Sequence, residues 1–466
     1  MTQKNKVLGF KDITLYTVSA MLFMDQIAMA ASLGASSLFW WGYVLIFLFI
    51  PLAMITAELG TTYPQNGGIY QWVRRAFGFR WGARVSWIYW ITTALWMPSV
   101  YILFAGMLSE LFFPGLSMWH KVFIGIGLAF LTTMFNIVSL NVGKWMPNLG
   151  AILKVVSVLA LGIAGVRYGL EHGFANPLTL DSILPSSGLE VAALGIMIYG
   201  VVGIELACCS GDEMANPKRD IPRAIFVSGL LIACFNIFGT LGVIAAVPAD
   251  QTDITQIFVH SLYNLYGTTG IGFVVATLVG CFVLFTFITN MVTWSMGANR
   301  AAIEASEAGE FPKVFGIVHK KYKTPVGSTI LCGVLSTVIL LIAGFMAENT
   351  EEMFWALMSM TAMIFLMPYI ILMFAFVKLR LTDDTERPFR APVSNFGAIA
   401  IAIFVSLNML AGILMFVYVP GEPVDWGYCG QFFCVIALAL GCGELMIRAC
   451  DKNKKTQSIE QAPLLS

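Results

Sequence analysis

Charge is what this 466-residue sequence has least of. Asp, Glu, Lys and Arg make up 12% of it, about half of the roughly 25% usual in globular domains. Apolar residues reach 58% and mean hydropathy is +0.80. No charged residue occurs in 26–57, 85–109, 122–143, 224–249, 254–299, 324–347, 353–377, 391–421 or 426–443. Nearly all of these stretches meet the roughly 18–20 residues that cross a bilayer as a helix. Their apolar residues run on without alternating, which excludes a transmembrane β-barrel. The chain reads as an all-α polytopic membrane protein. No polar stretch is long enough for a soluble domain, so an ATPase has no room, and active transport would have to draw on an ion or exchange gradient.

Other absences narrow the chemistry. The nine cysteines include no CxxC pair and no His/Cys cluster, so neither a metal site nor a disulfide framework is indicated. Cys429 and Cys434 read as packing residues. The histidines, His120, His172, His260 and His319, fall in or near loops and read as solvated. No nucleophile–base–oxyanion constellation appears, so no enzyme and no cofactor are expected. Net charge is +0, which gives no hint of a nucleic-acid partner. The first apolar segment, about 13–34, carries Asp25 in its middle and no small-residue cleavage pattern follows, so it reads as a retained span and not a leader.

Merging the charge-free stretches with segments that hold one embedded charge predicts twelve helices, centred near residues 24, 48, 98, 131, 158, 200, 236, 285, 337, 365, 407 and 438. Alternate connections then carry 24 of the 27 Lys and Arg residues, among them Arg74, Arg75, Arg80, Lys218, Arg219, Lys320, Lys321 and Lys323. The opposite connections carry only Lys121 and Arg167, with acids such as Asp250, Asp253, Glu348, Glu351 and Glu352. By the positive-inside rule both termini face the cytoplasm of a multi-pass cell (inner or plasma) membrane protein, and an odd helix number would scramble the split. Trp40, Trp41, Trp81 and Trp426, near span ends, read as interface anchors.

Three ionisable residues lie inside spans, where a charge costs roughly 2.5–3.5 kcal/mol and needs a reason. They are Asp25 in the first helix, Lys154 in the fifth and Glu205 in the sixth. Glu205 follows Tyr199-Gly200-Val201-Val202-Gly203. Glycines beside a buried acid suggest a helix that opens in mid-membrane, freeing backbone groups for a substrate or ion. The plainer reading of Gly200 and Gly203 is close helix packing. Lys154 has two readings as well: pairing with backbone oxygens of helices one or eight, or reaching along about two turns to the cytoplasmic edge.

Three further stretches carry a family resemblance. After helix two comes Ala57-Glu58-Leu59-Gly60-Thr61-Thr62-Tyr63-Pro64, then Asn66-Gly67-Gly68-Ile69-Tyr70 and Phe77-Gly78. After helix six come Glu213 and Asn216-Pro217-Lys218-Arg219-Asp220-Ile221-Pro222-Arg223-Ala224. After helix eight come Asn299-Arg300, Gly309-Glu310-Phe311-Pro312 and Thr324-Pro325-Val326. In this order, all on the cytoplasmic side, they make the chain resemble the amino acid–polyamine–organocation transporters over its whole length. Its texture is similar to the glutamate/GABA antiporter-like and basic amino acid/polyamine antiporter branches.

The resemblance implies a leucine-transporter-like fold of two inverted five-helix repeats plus two C-terminal helices. The expected boundaries are a cytoplasmic N-terminus (1–12), a first repeat with broken helix one (13–170), a second with broken helix six (188–380), helices eleven and twelve (394–449) and a cytoplasmic tail (450–466). It implies alternating access around one amino-acid or amine site. Asp25, Gln26, Thr93, Trp96, Tyr199, Gly200, Gly203 and Trp294 match substrate-binding positions. Lys154, Glu205 and Tyr199 match coupling or gating positions, with protons as the coupling ion and Lys154 in the place of a sodium ion. Glu58, Arg74, Arg219 and Arg300 fit the cytoplasmic gate or loop geometry. The remaining partners are lipid and, at most, a second copy: a monomer or a homodimer.

One departure bears on the substrate. Relatives break helix one at a glycine-rich segment whose amides bind the substrate carboxylate, whereas this chain reads Met24-Asp25-Gln26. Like charges about 5 Å apart at an effective dielectric of about 20 repel by on the order of 3 kcal/mol. Asp25 therefore either pairs with a substrate ammonium, or is turned towards a neighbouring helix or protonated. The sequence supports a secondary transporter of amino acids, by exchange or with protons. A proton-coupled polyamine or amine carrier is the alternative, and a non-transporting nutrient sensor or a channel fits less well.

Overall fold

The computed structural model describes residues 9–138, 142–206, 208, 214–249 and 253–461. Among them the regular structure is helical, and Val318 and Pro325 form an isolated antiparallel bridge. Eleven helices are long and apolar enough to span a membrane, and a bent pair makes twelve. The pair is α1, Phe10–Met21 and Met24–Ala31, bent by 42°. Then come α2 (Ser36–Thr62), α3 (Phe79–Phe112), α4 (Met118–Val138), α5 (Trp145–His172), α6 (Gly188–Leu206), α7 (Pro217–Ala246), α8 (Gly270–Glu307), α9 (Val326–Met346), α10 (Thr350–Thr382) and α11 (Asn395–Met415). The last, α12, runs Trp426–Gln461 and so continues past Ala449 as helix. Each of the twelve centres expected from the sequence falls inside one of these spans. Glu213 lies outside the described residues.

Local chemistry marks the helix ends. The Ser187 side chain accepts from the Glu190 amide and Glu190 reaches back, a capping box that opens α6. Pro217 begins α7 at a position where its missing N–H costs nothing. Asn349 and Ser394 cap α10 and α11. Burial ranks the spans: 94% of the apolar window of α3 is inside the protein, against 22% for α12. So α3 runs through the centre, and α12 presents most of its surface outward.

The interior corrects the reading of two tryptophans. Trp41 is fully buried and donates to Thr240 on α7 at 3.0 Å, and Trp40 donates to the Glu190 carbonyl at 2.8 Å. Both tie α2 to its neighbours instead of facing the interface, because indole N–H groups near a span end can equally well meet a buried acceptor. Trp81 and Trp426 are exposed, as anchors should be.

Candidate functional site

The break in α1 needs no glycine. Leu22 (φ −79°, ψ 88°) and Phe23 (φ −88°, ψ 123°) carry it in extended conformations open to any residue. The interruption leaves carbonyls without helical partners, and side chains from other spans take them. Lys154 Nζ donates to the Ser19 carbonyl and, at 3.0 Å, to Asn290 Oδ1 on α8. Trp294 Nε1 donates to the Ala20 carbonyl at 2.7 Å. Lys154 is fully buried, so it does not reach the cytoplasmic edge. It binds helix one through backbone and helix eight through a side chain.

Beyond the break, Asp25 occupies the first turn of Met24–Ala31, where the helix N-terminus favours a negative group. It is wholly buried. Trp96 Nε1 approaches Oδ2 at 3.3 Å, while Oδ1 has no hydrogen-bond partner. Gln26 donates to the Ile196 carbonyl of α6 at 3.0 Å, and its Oε1 is likewise unpartnered.

The break in α6 follows Tyr199. Gly203 has φ +113°, and a Cβ there would lie 2.8 Å from the Trp294 ring. Backbone conformation and close approach both demand glycine. Gly200 is helical, and a Cβ there would meet the Gln26 side chain at 2.4 Å. So Gly203 marks the opening, and Gly200 permits the packing of α1 on α6. Glu205 lies just past the break, fully buried. Its Oε1 accepts from Tyr89 at 2.9 Å and from Tyr369 at 2.7 Å.

An aromatic enclosure joins the two breaks. Phe23 packs on Trp96, Tyr199 and Trp294 with ring centres 5.8, 6.2 and 5.7 Å apart. Trp96 and Trp294 are 6.1 Å apart. Phe365 of α10 closes on Tyr199 and Trp294 at 5.8 and 5.4 Å, and Tyr89 stacks on Trp294 at 6.0 Å. Asp25 thus meets the enclosure through Trp96, and Glu205 meets it through Tyr89.

The structure brings Asp25, Gln26, Trp96, Tyr199, Gly200, Gly203, Glu205, Trp294 and Lys154 to these two breaks. Thr93 is buried one turn from Trp96, but its hydroxyl is spent on the Tyr89 carbonyl at 3.1 Å. Sequence reasoning missed Phe23, Tyr89, Asn290, Phe365 and Tyr369. Lone aromatics and an asparagine inside apolar runs carry no spacing signal. Of the cytoplasmic residues singled out, Glu58 accepts from Arg380, from Arg387 at 3.0 Å and from the Ala391 amide at 2.9 Å. Arg74 pairs with Glu310 at 2.9 Å.

A family model described as amino acid permease matches residues 8–451. The chain belongs to the amino acid permease family. The permease is therefore a secondary transporter of amino acids or amines and not an enzyme. It is 32% identical over 408 residues to a protein named probable agmatine/putrescine antiporter AguD of Lactococcus lactis subsp. lactis, covering 87% of this chain and 86% of that one. It is 27% identical to an uncharacterized transporter of Legionella pneumophila subsp. pneumophila, over 85% and 86% of the two chains. It is 25% identical to a cadaverine/lysine antiporter of Escherichia coli, over 73% and 75%.

Proposed function

We propose that the permease is an antiporter of organic amines, and that it prefers substrates with two cationic groups, such as agmatine or a short diamine. The observation that carries this reading is the unpartnered, fully buried oxygen of Asp25 beside the aromatic enclosure. An amino acid would bring its own carboxylate to the helix-one amides. Here Asp25 stands at that N-terminus, so the negative group belongs to the protein and the substrate needs only its ammonium. Indole and phenyl faces add cation–π attraction, roughly 0.5–2 kcal/mol for each well-placed ring. Glu205, which meets the enclosure through Tyr89, gives a second cationic group a counter-charge. The relatives named for agmatine, putrescine, cadaverine and lysine support the same class.

In this reading Tyr199 closes over the substrate, and α1, α2, α6 and α7 rock against the other helices of the two five-helix repeats to expose the opposite side. Lys154, held between Ser19 and Asn290, ties α1 to α8 in the place of a sodium ion and is the group through which protons would act. Both termini face the cytoplasm of the plasma membrane, as the Lys and Arg distribution supports.

The test is counterflow in proteoliposomes preloaded with unlabelled agmatine, putrescine, cadaverine, arginine, lysine, leucine, alanine or glutamate, with the labelled preloaded compound or labelled putrescine outside. Saturable exchange by the amines, absent with glutamate and shifted to roughly ten- to a hundredfold higher concentration in Asp25→Asn, is the expected result. Exchange of glutamate, or of neutral amino acids with Asp25→Asn harmless, would overturn the amine reading and leave an amino-acid carrier.

A further inference from the structure

Cations at the ends of the spans are mostly neutralised within the protein. Arg74 pairs with Glu310, Arg75 with Asp383, Arg80 with Asp451, Arg84 and Arg448 with Glu444, and Arg380 and Arg387 with Glu58. Arg219 and Arg223 have no ion pair among the described residues, but the connection between α8 and α9 gathers more such cations. Lys313, Lys320, Lys321 and Lys323 are all exposed there. None of the four makes an ion pair among the described residues.

This connection is a built hairpin. Phe311 and Phe315 are buried at its base, and Phe315 packs edge-on against Trp90 with ring centres 5.0 Å apart. Thr324 donates to the Ile137 carbonyl at the end of α4 at 2.6 Å. The His319 amide donates to the Thr324 carbonyl at 2.8 Å and the Lys323 amide to the His319 carbonyl at 2.9 Å. His319 Nδ1 accepts from the amides of Lys321 and Tyr322 at 3.2 and 3.1 Å. Lys323 is the only described non-glycine residue with positive φ, at 56°. That conformation costs a lysine about 1 kcal/mol or more unless its surroundings impose it. The tip is thus held in one shape, with three lysines on it. The same hairpin exposes Val314, Ile317 and Val318, at 40%, 52% and 38%, directly between the ends of two spans.

We propose that the Phe311–Val326 hairpin is a docking surface for anionic phospholipid headgroups, its lysines on the phosphates and its exposed aliphatic side chains in the interfacial layer. Lysine clusters next to a span are attracted to anionic lipid, and aliphatic groups gain by entering the headgroup boundary. Charge complementarity selects the occupant: four cations with no internal carboxylate, beside apolar groups that an acidic protein in water would leave wet. That the lipid belongs to the cytoplasmic leaflet rests on the orientation proposed above.

The test compares the full-length protein with a K313Q/K320Q/K321Q/K323Q variant, both extracted in detergent from membranes containing phosphatidylglycerol. The phosphatidylglycerol retained per mole of protein is measured by mass spectrometry, and exchange is assayed in vesicles of phosphatidylcholine alone and with phosphatidylglycerol. The expected result is about a tenfold fall in retained phosphatidylglycerol for the variant. Exchange in phosphatidylcholine should be equal for the two proteins, with stimulation by phosphatidylglycerol only for the parent. Equal retention and equal stimulation would overturn the proposal. An Ile317→Ser/Val318→Ser variant, which keeps every charge, should lose part of the retention; no loss, with the lysine effect intact, would remove the aliphatic half of the docking surface. Labelling of Lys321→Cys by a membrane-impermeant maleimide checks the orientation separately, so a reversed topology is not mistaken for a failure of lipid binding.

Discussion

Glu58 and Asp25 are both fully buried carboxylates of this permease, one near the C-terminal end of α2 and one at the break of α1. Glu58 has both oxygens engaged, by two arginines and the Ala391 amide. Arg380 in turn donates to the Val393 carbonyl at 2.6 Å and Arg387 to the Leu379 carbonyl at 2.7 Å. Asp25 has one indole at 3.3 Å and an oxygen with nothing on it. A carboxylate with both oxygens answered by protein donors holds a fold together. One left half-answered beside aromatic rings, at a helix N-terminus, is in the function proposed above a binding group whose partner comes from solution. Breaking each carboxylate should therefore give opposite phenotypes.

The largest expected effect is on stability. Glu58→Gln leaves two arginines without their counter-charge, one of them fully buried, and removing one member of a buried pair costs about 3–5 kcal/mol. Thermal unfolding followed by size-exclusion chromatography should show a large fall in Tm or failure to accumulate. An unchanged Tm would end the contrast, since Glu58 would then hold nothing. Next comes Asp25→Asn. A hydrogen bond to a charged group is worth about 1.5–3 kcal/mol, so apparent affinity for amines in counterflow should fall roughly ten- to a hundredfold. Its Tm should stay close to that of the parent, because the lost oxygen charge had no protein partner on Oδ1. A Tm loss as large as that of Glu58→Gln would instead make Asp25 a structural residue.

Gly203→Ala is expected to do less than either. It places a Cβ 2.8 Å from the Trp294 ring at φ +113°, a strain of about 1–3 kcal/mol. Gly200→Ala meets the buried Gln26 side chain at 2.4 Å but adds no φ strain, because Gly200 is helical, and should be milder. Both are read by Tm and by counterflow. If Gly200→Ala proves the more damaging, the opening of α6 lies one turn earlier than the backbone places it.

How far the sequence reached follows the same division. The spans were legible because lipid forbids unpaired charge over a length that composition alone records. The breaks were half legible. Gly203 and Glu205 announced the one in α6, but Leu22 and Phe23 break α1 in ordinary extended geometry, so only Asp25 pointed to it. The walls of the enclosure were half legible too: Trp96, Tyr199 and Trp294 stood out, but Phe23, Tyr89 and Phe365 sit among 35 Phe and 14 Tyr residues, and only three-dimensional packing selects them. The partners of Glu58 were illegible for another reason. Arg380 and Arg387 lie more than three hundred positions away, where a single sequence offers no signal of pairing.

The smallest effect belongs to the exposed Arg75–Asp383 pair near the end of α10. Arg75 Nε meets Asp383 Oδ2 at 2.7 Å, with the arginine side chain 48% exposed. The Thr385 hydroxyl, then Arg75, hold the Asp383 carboxyl well below the usual carboxylate range. A group whose folded pKa is depressed adds stability above its unfolded pKa and loses it as pH falls through the folded value. With an unfolded pKa of about 3.9, the contribution should be constant from neutral pH down to about pH 5 and fade only in stronger acid. Exposed pairs contribute about 0–1 kcal/mol and are screened by salt. Asp383→Asn should therefore lower Tm by a degree or two at neutral pH, on the order expected from such a pair in a chain this long. The difference should shrink below pH 4 and with added salt. A difference that persisted in acid would mean that Asp383 acts through packing. One as large as that of Glu58→Gln would mean that burial is not what separates the two ion pairs.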